Sequence, residues 1–280
     1  MPRMVRGSQM TETEKISRMG FVELYDFYWN QNADPRTNGL PFIGSPIIMP
    51  SIVLLYLYFV LKYGPEFMKD RKPYDLKTFM KYYNVFQIIA NTYVVQQFIT
   101  VGWFTEITMY CEIPDFSYKP GPLKLTYIMW LVTMLKLIHF VETFVFVLRK
   151  KKEQVSFLHL YHHVTTILLC WLTTKYVPVA MSSFTLLVNC GVHVIMYTYY
   201  FLSTFGPKFR RVLATYKPIL TIVQMAQLII LLIQNVQSLL PSCPVTKLPG
   251  TISTINLIIN FILFYNFYQR KYTKSASKKR

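Results

Sequence analysis

A chain of 280 residues that is 52% hydrophobic and 15% charged is too apolar for an ordinary water-soluble domain and too short for several membrane domains. One polytopic membrane domain fits. The net charge of +17 does not imply a nucleic-acid partner, because Lys and Arg lie in short clusters between apolar runs and not on one soluble basic face.

Residues 1–40 hold five basic and five acidic side chains and end in Asp34-Pro35-Arg36, a turn signal, so a short folded or surface-lying segment is expected there. No Arg-led apolar leader is seen ahead of the apolar stretches that follow, and no cleaved signal peptide is expected. Seven apolar stretches follow, at about 43–62, 83–105, 124–148, 155–175, 179–203, 215–239 and 248–268, each long enough to cross a bilayer as a helix. The prediction is an all-α membrane protein with seven transmembrane helices. It divides into an N-terminal segment (1–40), a seven-span domain (41–270) and a basic tail (271–280).

Alternate connections differ in charge. Lys69, Arg71, Lys72, Lys77 and Lys81 follow the first span, Arg149 to Lys152 the third, and Lys208, Arg210, Arg211 and Lys217 the fifth, with a basic tail after the seventh. The opposite connections hold only Lys119, Lys124, Lys175 and Lys247. The positive-inside rule then places the C-terminus in the cytosol and the N-terminus across the membrane. Cys111 and Cys243 both fall in loops on the non-cytosolic side, where an oxidising compartment would let them pair; two unpaired loop thiols are the alternative. Cys170 and Cys190 lie within spans and read as small packing residues. The terminal Ser277-Lys278-Lys279-Arg280 is loosely like a dilysine retrieval signal.

The third span carries Lys136, His139, Glu142 and Thr143 at helical spacing, a polar stripe that cannot face lipid. Counting back from Arg149 at ~1.5 Å per residue puts Glu142 about 10 Å, His139 about 15 Å and Lys136 about 20 Å below the cytosolic boundary. The fourth span opens with His159, His162 and His163 at i, i+3 and i+4, so three of the five histidines share one helical face at roughly 8 to 14 Å depth. Asn189, His193, Met196, Tyr197 and Tyr200 form a stripe on the fifth span, and Lys217, Thr221, Gln224 and Gln227 another on the sixth. Four helices thus place polar groups at overlapping depth, which predicts a chamber opening toward the basic loops.

Amides, Thr and Tyr within spans often act only as interhelical hydrogen-bonding groups worth ~1 kcal/mol or less each. Thr221, Gln224 and Gln227 alone are read that way at least as well. His139 or His193 taken alone reads as a satisfied core residue, but His159, His162, His163, His193, Glu142 and Lys136 are six ionisable groups at matching depth, and that set asks for chemistry. Five histidines and one carboxylate are too few for two irons, although a single zinc on three imidazoles remains an alternative. The favoured reading has no metal and no cofactor: a neutral imidazole attacks a thioester, and a neighbouring His or Glu orients it and moves protons.

These residues resemble the family of very-long-chain fatty acid elongases, the condensing enzymes of endoplasmic reticulum lipid synthesis. The likeness runs from Asp34-Pro35-Arg36 to the seventh span and rests on four markers: Leu148-Arg149-Lys150-Lys151; Phe157-Leu158-His159-Leu160-Tyr161-His162-His163; Asn189 with His193-Val194-Ile195-Met196-Tyr197-Thr198-Tyr199-Tyr200; and Thr221-x-x-Gln224-x-x-Gln227. It implies six helices around an acyl tunnel open to the cytosol, a lumenal disulfide at Cys111 and Cys243, and a location in the endoplasmic reticulum membrane. It also implies the joining of long-chain acyl-CoA to malonyl-CoA, giving 3-ketoacyl-CoA, CO2 and CoA. Its implied partners are those two thioesters, membrane lipid and the other fatty acid elongation enzymes, and it allows a homodimer. In that scheme His162 is the nucleophile and His193 orients or deprotonates. Lys136 and Asn189 stabilise an oxyanion, Glu142 positions a ring of the box formed with His159 and His163, and Tyr197 and Tyr200 contact substrate with the sixth-span stripe. Arg149, Lys150, Lys152, Lys208, Arg210 and Arg211 are placed to meet the CoA phosphates. One departure stands out: the family stripe Lys-x-x-Glu-x-x-Asp-Thr reads Lys136-x-x-His139-x-x-Glu142-Thr143 here. A catalytically altered relative, and a seven-span lipid transporter or receptor, are the competing readings.

Overall fold

The computed structural model describes residues 16–273. Among them all regular structure is helical, and the only strand-like pairing is an isolated bridge between Trp103 and Ile107. Residues 1–15 and 274–280 lie outside the described residues, and with them the start of the N-terminal segment and the dilysine-like ending.

Seven long helical segments stand where the seven apolar stretches are: α1 (Ile48–Met68), α2 (Lys77–Thr100), α3 (Pro120–Leu148), α4 (Phe157–Tyr176), α5 (Ala180–Leu202), α6 (Pro207–Val236) and α7 (Lys247–Tyr268). By length and composition α1 and α3 qualify as membrane spans, as do α5, α6 and α7 with their terminal turns. The expected count of seven is therefore met by five on this measure. Polar side chains lower the apolarity of α2 and α4: α2 buries Asn84, Gln87 and Asn91, and α4 carries three histidines. Leu54, Leu61, Ile89, Ile195, Ile233 and Ile255 are exposed on outward faces, a surface suited to lipid and not to water.

The largest boundary difference is at α6, which begins eight residues before the expected 215 because Pro207 opens a helix through the basic cluster. Gly206, at φ 111°, makes the reversal out of α5 in a region that disfavours side chains. α1 passes through a π-helical turn at Phe59–Tyr63 into Gly64, where a Cβ would come 2.7 Å from Val147 Cγ1, so this close approach to α3 requires glycine.

Six helices close into a ring. α2 packs on α3, α3 on α4, α4 on α7, α7 on α6, α6 on α5 and α5 back on α2, while α1 lies outside against α3 and α4. The chain reverses at each connection, through a long loop (101–119) between α2 and α3 and shorter ones elsewhere, so α2–α4 and α5–α7 are two three-helix units facing each other in opposite directions. One end of the ring is solid. Phe98, Trp103, Met129, Val132, Cys190 and Leu231 belong to a buried apolar cluster there, and the Trp103 indole donates to Ser183 Oγ at 2.9 Å. Cys111 and Cys243 are disulfide-bonded with Cα atoms 5.7 Å apart, tying the α2–α3 connection to the α6–α7 connection. The Lys247 ammonium donates to the carbonyls of Ser238, Leu240 and Cys243, satisfying the chain end of α6.

The N-terminal segment is fastened to the outside of the same end. Three indoles, Trp29, Trp130 and Trp171, donate to the carbonyls of Gly44, Pro41 and Phe42. Asp34 accepts from the Arg36 guanidinium, which also reaches the carbonyls of Asp115 and Ser117. Lys175, counted from sequence as a loop charge, is instead 1% exposed: its ammonium donates to Asn38 Oδ1 at 3.0 Å and lies 5.4 Å from the Trp29 ring.

Candidate active site

At the other end the ring is hollow. A cavity of about 1360 Å³ reaches from the basic chain ends down to Lys136, His162, Thr166 and His193. Its wall is drawn from α2 to α7, and all four polar stripes open on it. Beyond that depth the apolar cluster fills the ring, so the cavity stops at the histidines.

The α4 histidines are set by the start of their helix. Ser156 is its N-cap, accepting from the His159 amide at 3.2 Å, so the box occupies the first two turns at the cavity wall. Four imidazoles form a succession of neighbours: ring centroids are 6.1 Å apart for His162 and His163, 6.3 Å for His163 and His139, and 4.8 Å for His139 and His193. His159 lies beside His163, tilted by 34°, with centroids 4.0 Å apart. His162 and His193 thus face one cavity from α4 and α5, with other rings between them.

Each ring has a distinct partner, which sets its proton. Lys136 donates to Asn189 Oδ1 and to His193 Nδ1, the latter at 3.4 Å, so a neutral His193 carries its proton on Nε2. Tyr56, from α1 outside the ring, donates at 3.0 Å to Thr143 Oγ1, whose own hydroxyl is 2.8 Å from His159 Nε2. His162 Nδ1 lies 3.2 Å from Asn260 Oδ1 of α7. His139 sets Nε2 at 3.2 Å from Gln87 Oε1; Gln87 in turn donates to Tyr83 and accepts from Asn91. An imidazole N–H suits that carbonyl as a carboxylate would not.

Glu142 departs from expectation. Its carboxylate accepts from Tyr197 at 3.4 Å and among the described residues is hydrogen-bonded to no imidazole; Thr143 holds His159 instead. Tyr197, Tyr200, Met196, Thr221 and Gln224 line the cavity, and Gln224 donates to Met196 Sδ. Gln227, one turn deeper, is buried outside the cavity wall. Asn189 is likewise reached only through Lys136. Of the proposed phosphate ligands, Arg149, Lys150, Lys152 and Arg210 line the mouth, whereas Lys208 and Arg211 are exposed outside it. Lys77, Lys81, Lys151, Lys217 and Lys271 complete the cationic rim, with Glu153 paired to Lys271 at 3.8 Å. Among the described residues no three His, Cys, Asp or Glu are arranged to hold a metal ion.

Sequence reasoning missed two polar contributors. Asn84, Gln87 and Asn91 run down the inner face of α2 at i, i+3 and i+7, a spacing visible in the sequence. Asn260 on α7, 2% exposed, had only Asn256 four residues earlier to mark it.

Residues 41–280 match the ELO: GNS1/SUR4 family model. The chain is 39% identical over 246 residues to very long chain fatty acid elongase 1 of Homo sapiens, covering 87% of this chain and 88% of that protein. It is 39% identical over 247 residues to the Mus musculus elongase 1, and 34% identical over 255 residues to very long chain fatty acid elongase 7 of Rattus norvegicus, with 90% of each chain covered in the latter case.

Proposed function

The chain belongs to the ELO (GNS1/SUR4) family, with very long chain fatty acid elongases as relatives, and from that premise we propose that it is a condensing enzyme of fatty acid elongation. It joins a long-chain acyl-CoA to malonyl-CoA and releases 3-ketoacyl-CoA, CO2 and CoA. The observation that carries this reading is the meeting of imidazoles from α4, α3 and α5 on one cavity whose mouth is rimmed by Lys and Arg.

In the first half-reaction a lone pair of His162 attacks the acyl-CoA carbonyl, the C–S bond breaks, and CoA leaves as thiolate. Lys136, with a hydrogen beyond those given to Asn189 and His193, supports the negative charge on the carbonyl oxygen. Malonyl-CoA then loses CO2, and the electron pair of the broken C–C bond attacks the acyl carbon. The C–N bond breaks and its pair returns to the ring, while a proton taken up from solvent converts the thiolate to CoA and completes the balance. His193, its Nδ1 occupied by Lys136, presents Nε2–H to the intermediate or the departing thiolate. Arg149, Lys150, Lys152 and Arg210 meet the CoA phosphates, and the acyl chain enters by displacing apolar side chains below the histidines.

The same reading places all seven helices across the endoplasmic reticulum membrane, with the cavity mouth and C-terminus cytosolic and the disulfide end lumenal. Protein purified in detergent tests the function directly. CO2 release from malonyl-CoA that depends on added long-chain acyl-CoA is the expected result. Binding of acyl-CoA without any CO2 release would make the chain a lipid carrier instead.

A further inference from the structure

Asn260 is a buried amide on α7 that faces a histidine from the opposite three-helix unit, on α4. Its Nδ2 donates to Asn256 O at 2.9 Å and to Asn256 Oδ1 at 3.1 Å, both acceptors one turn earlier in the same helix. Those two bonds fix the amide, because turning it over would set Oδ1 against two oxygens. Its carbonyl is therefore the atom presented to His162 Nδ1 at 3.2 Å.

A carbonyl accepts only, so the ring nitrogen beside it must carry the proton. Nε2 is left with the free lone pair, and among the described residues it has no hydrogen-bond partner, while the ring stands in the cavity wall. Phe264, one turn after Asn260, meets the ring edge-on at 6.2 Å and limits its rotation. We infer that Asn260 is a positioning residue that holds His162 in the Nδ1–H tautomer, so that Nε2 is the atom that takes the acyl group.

This rests on His162 being the nucleophile. When Nε2 bonds to the acyl carbon and the thiolate leaves, the ring becomes an acyl-imidazolium whose Nδ1–H is a stronger donor. The Asn260 carbonyl accepts from it, and no proton has to leave the ring before the carbanion arrives. The ring then departs with its Nε2 pair restored and its Nδ1 proton never moved. His193 is held the opposite way, since Lys136 occupies its Nδ1. The site thus pairs a ring set to attack through Nε2 with a ring set to donate through Nε2.

The test is the rate at which acyl-CoA alone acylates the purified protein, followed by intact mass, in Asn260→Leu, Asn260→Ala and Asn260→Asp. Forcing a wrong tautomer costs a serine-protease triad about 10⁴-fold; removing the acceptor merely frees the choice, so Leu and Ala should slow acylation about tenfold. The acyl-CoA concentration for half-maximal rate should stay within about twofold, since no substrate contact is lost. Asp keeps an acceptor oxygen but loses both bonds to Asn256, so it should recover the rate to within about threefold of the parent if the acceptor is what matters. A packing role predicts the reverse, with Asp no better than Leu. Acylation as fast in Leu and Ala as in the parent, or no recovery in Asp, overturns the positioning role alone. No adduct on His162 in the parent protein overturns it together with the condensing mechanism.

Discussion

The two ends of the helical ring are built from the same six helices and obey opposite rules. Toward the disulfide the interior is a packed apolar cluster with an indole satisfied by a serine, and on its outside a buried lysine is satisfied by an asparagine and a tryptophan face. Toward the basic rim the helices enclose about 1360 Å³, and the side chains around it carry proton donors and acceptors whose partners are only partly protein. Lys136 lies at the boundary: 2% exposed, without a carboxylate, giving hydrogens to Asn189 and His193. The contrast teaches that rigidity and reactivity are separated along the helix axes. The end that holds shape is apolar apart from satisfied polar groups and the buried thiols of Cys170 and Cys190, and the reactive end is held in shape from below and by contacts from α1 and α7.

The contrast can be broken hardest at the reactive end. His162→Ala and His193→Ala should each lower acyl-CoA-dependent CO2 release on the order of 10³-fold without changing thermal unfolding, whereas Ser183→Ala at the packed end should leave turnover within about twofold. Equal losses from all three would show that the ends are not functionally distinct.

The next largest effect belongs to the packed end and falls on stability. Cys111→Ser with Cys243→Ser opens a link across 132 residues and should lower unfolding stability by about 3 to 5 kcal/mol. Turnover per folded molecule should remain near the parent value, as read by melting curves beside activity at low temperature. The cationic rim should show a smaller, salt-sensitive effect. Arg149→Gln with Lys152→Gln and Arg210→Gln is expected to raise KM for acyl-CoA about tenfold at low salt with little change in kcat, the difference shrinking as ionic strength rises. Lys208→Gln with Arg211→Gln, outside the wall, should do much less. Smallest is Tyr56→Phe, which removes one hydrogen bond from the relay through Thr143 to His159 and should cost about 1 kcal/mol of stability and less than about threefold in rate.

Much of this was legible in the chain itself. Runs of apolar residues placed seven helices, and the spacing of Lys136, His139, Glu142, His159, His162, His163 and His193 was enough to bring them to one chamber. Charge asymmetry paired the loops of Cys111 and Cys243. Hydropathy could not reveal that α1 stands outside the ring, because a helix facing lipid on one side and helices on the other is as apolar as one within the ring. Nor could it separate the amides of α2 and α7 from ordinary interhelical glue: Gln87 and Asn260 acquire meaning only once His139 and His162 are seen opposite them. The rim residues divided for a similar reason. Lys208 and Arg211 lie beside Arg210 in sequence, yet helix α6 turns only the last of these into the wall.

The central claim is that the cavity delivers an acyl group to one imidazole. Incubating the purified protein with long-chain acyl-CoA and no malonyl-CoA, then mapping the added mass by peptide, tests it most directly. The expected result is a single acyl adduct on His162 that disappears when malonyl-CoA is added and never forms in His162→Ala. An adduct on another residue, or sustained condensation by His162→Ala with no adduct at all, would contradict it.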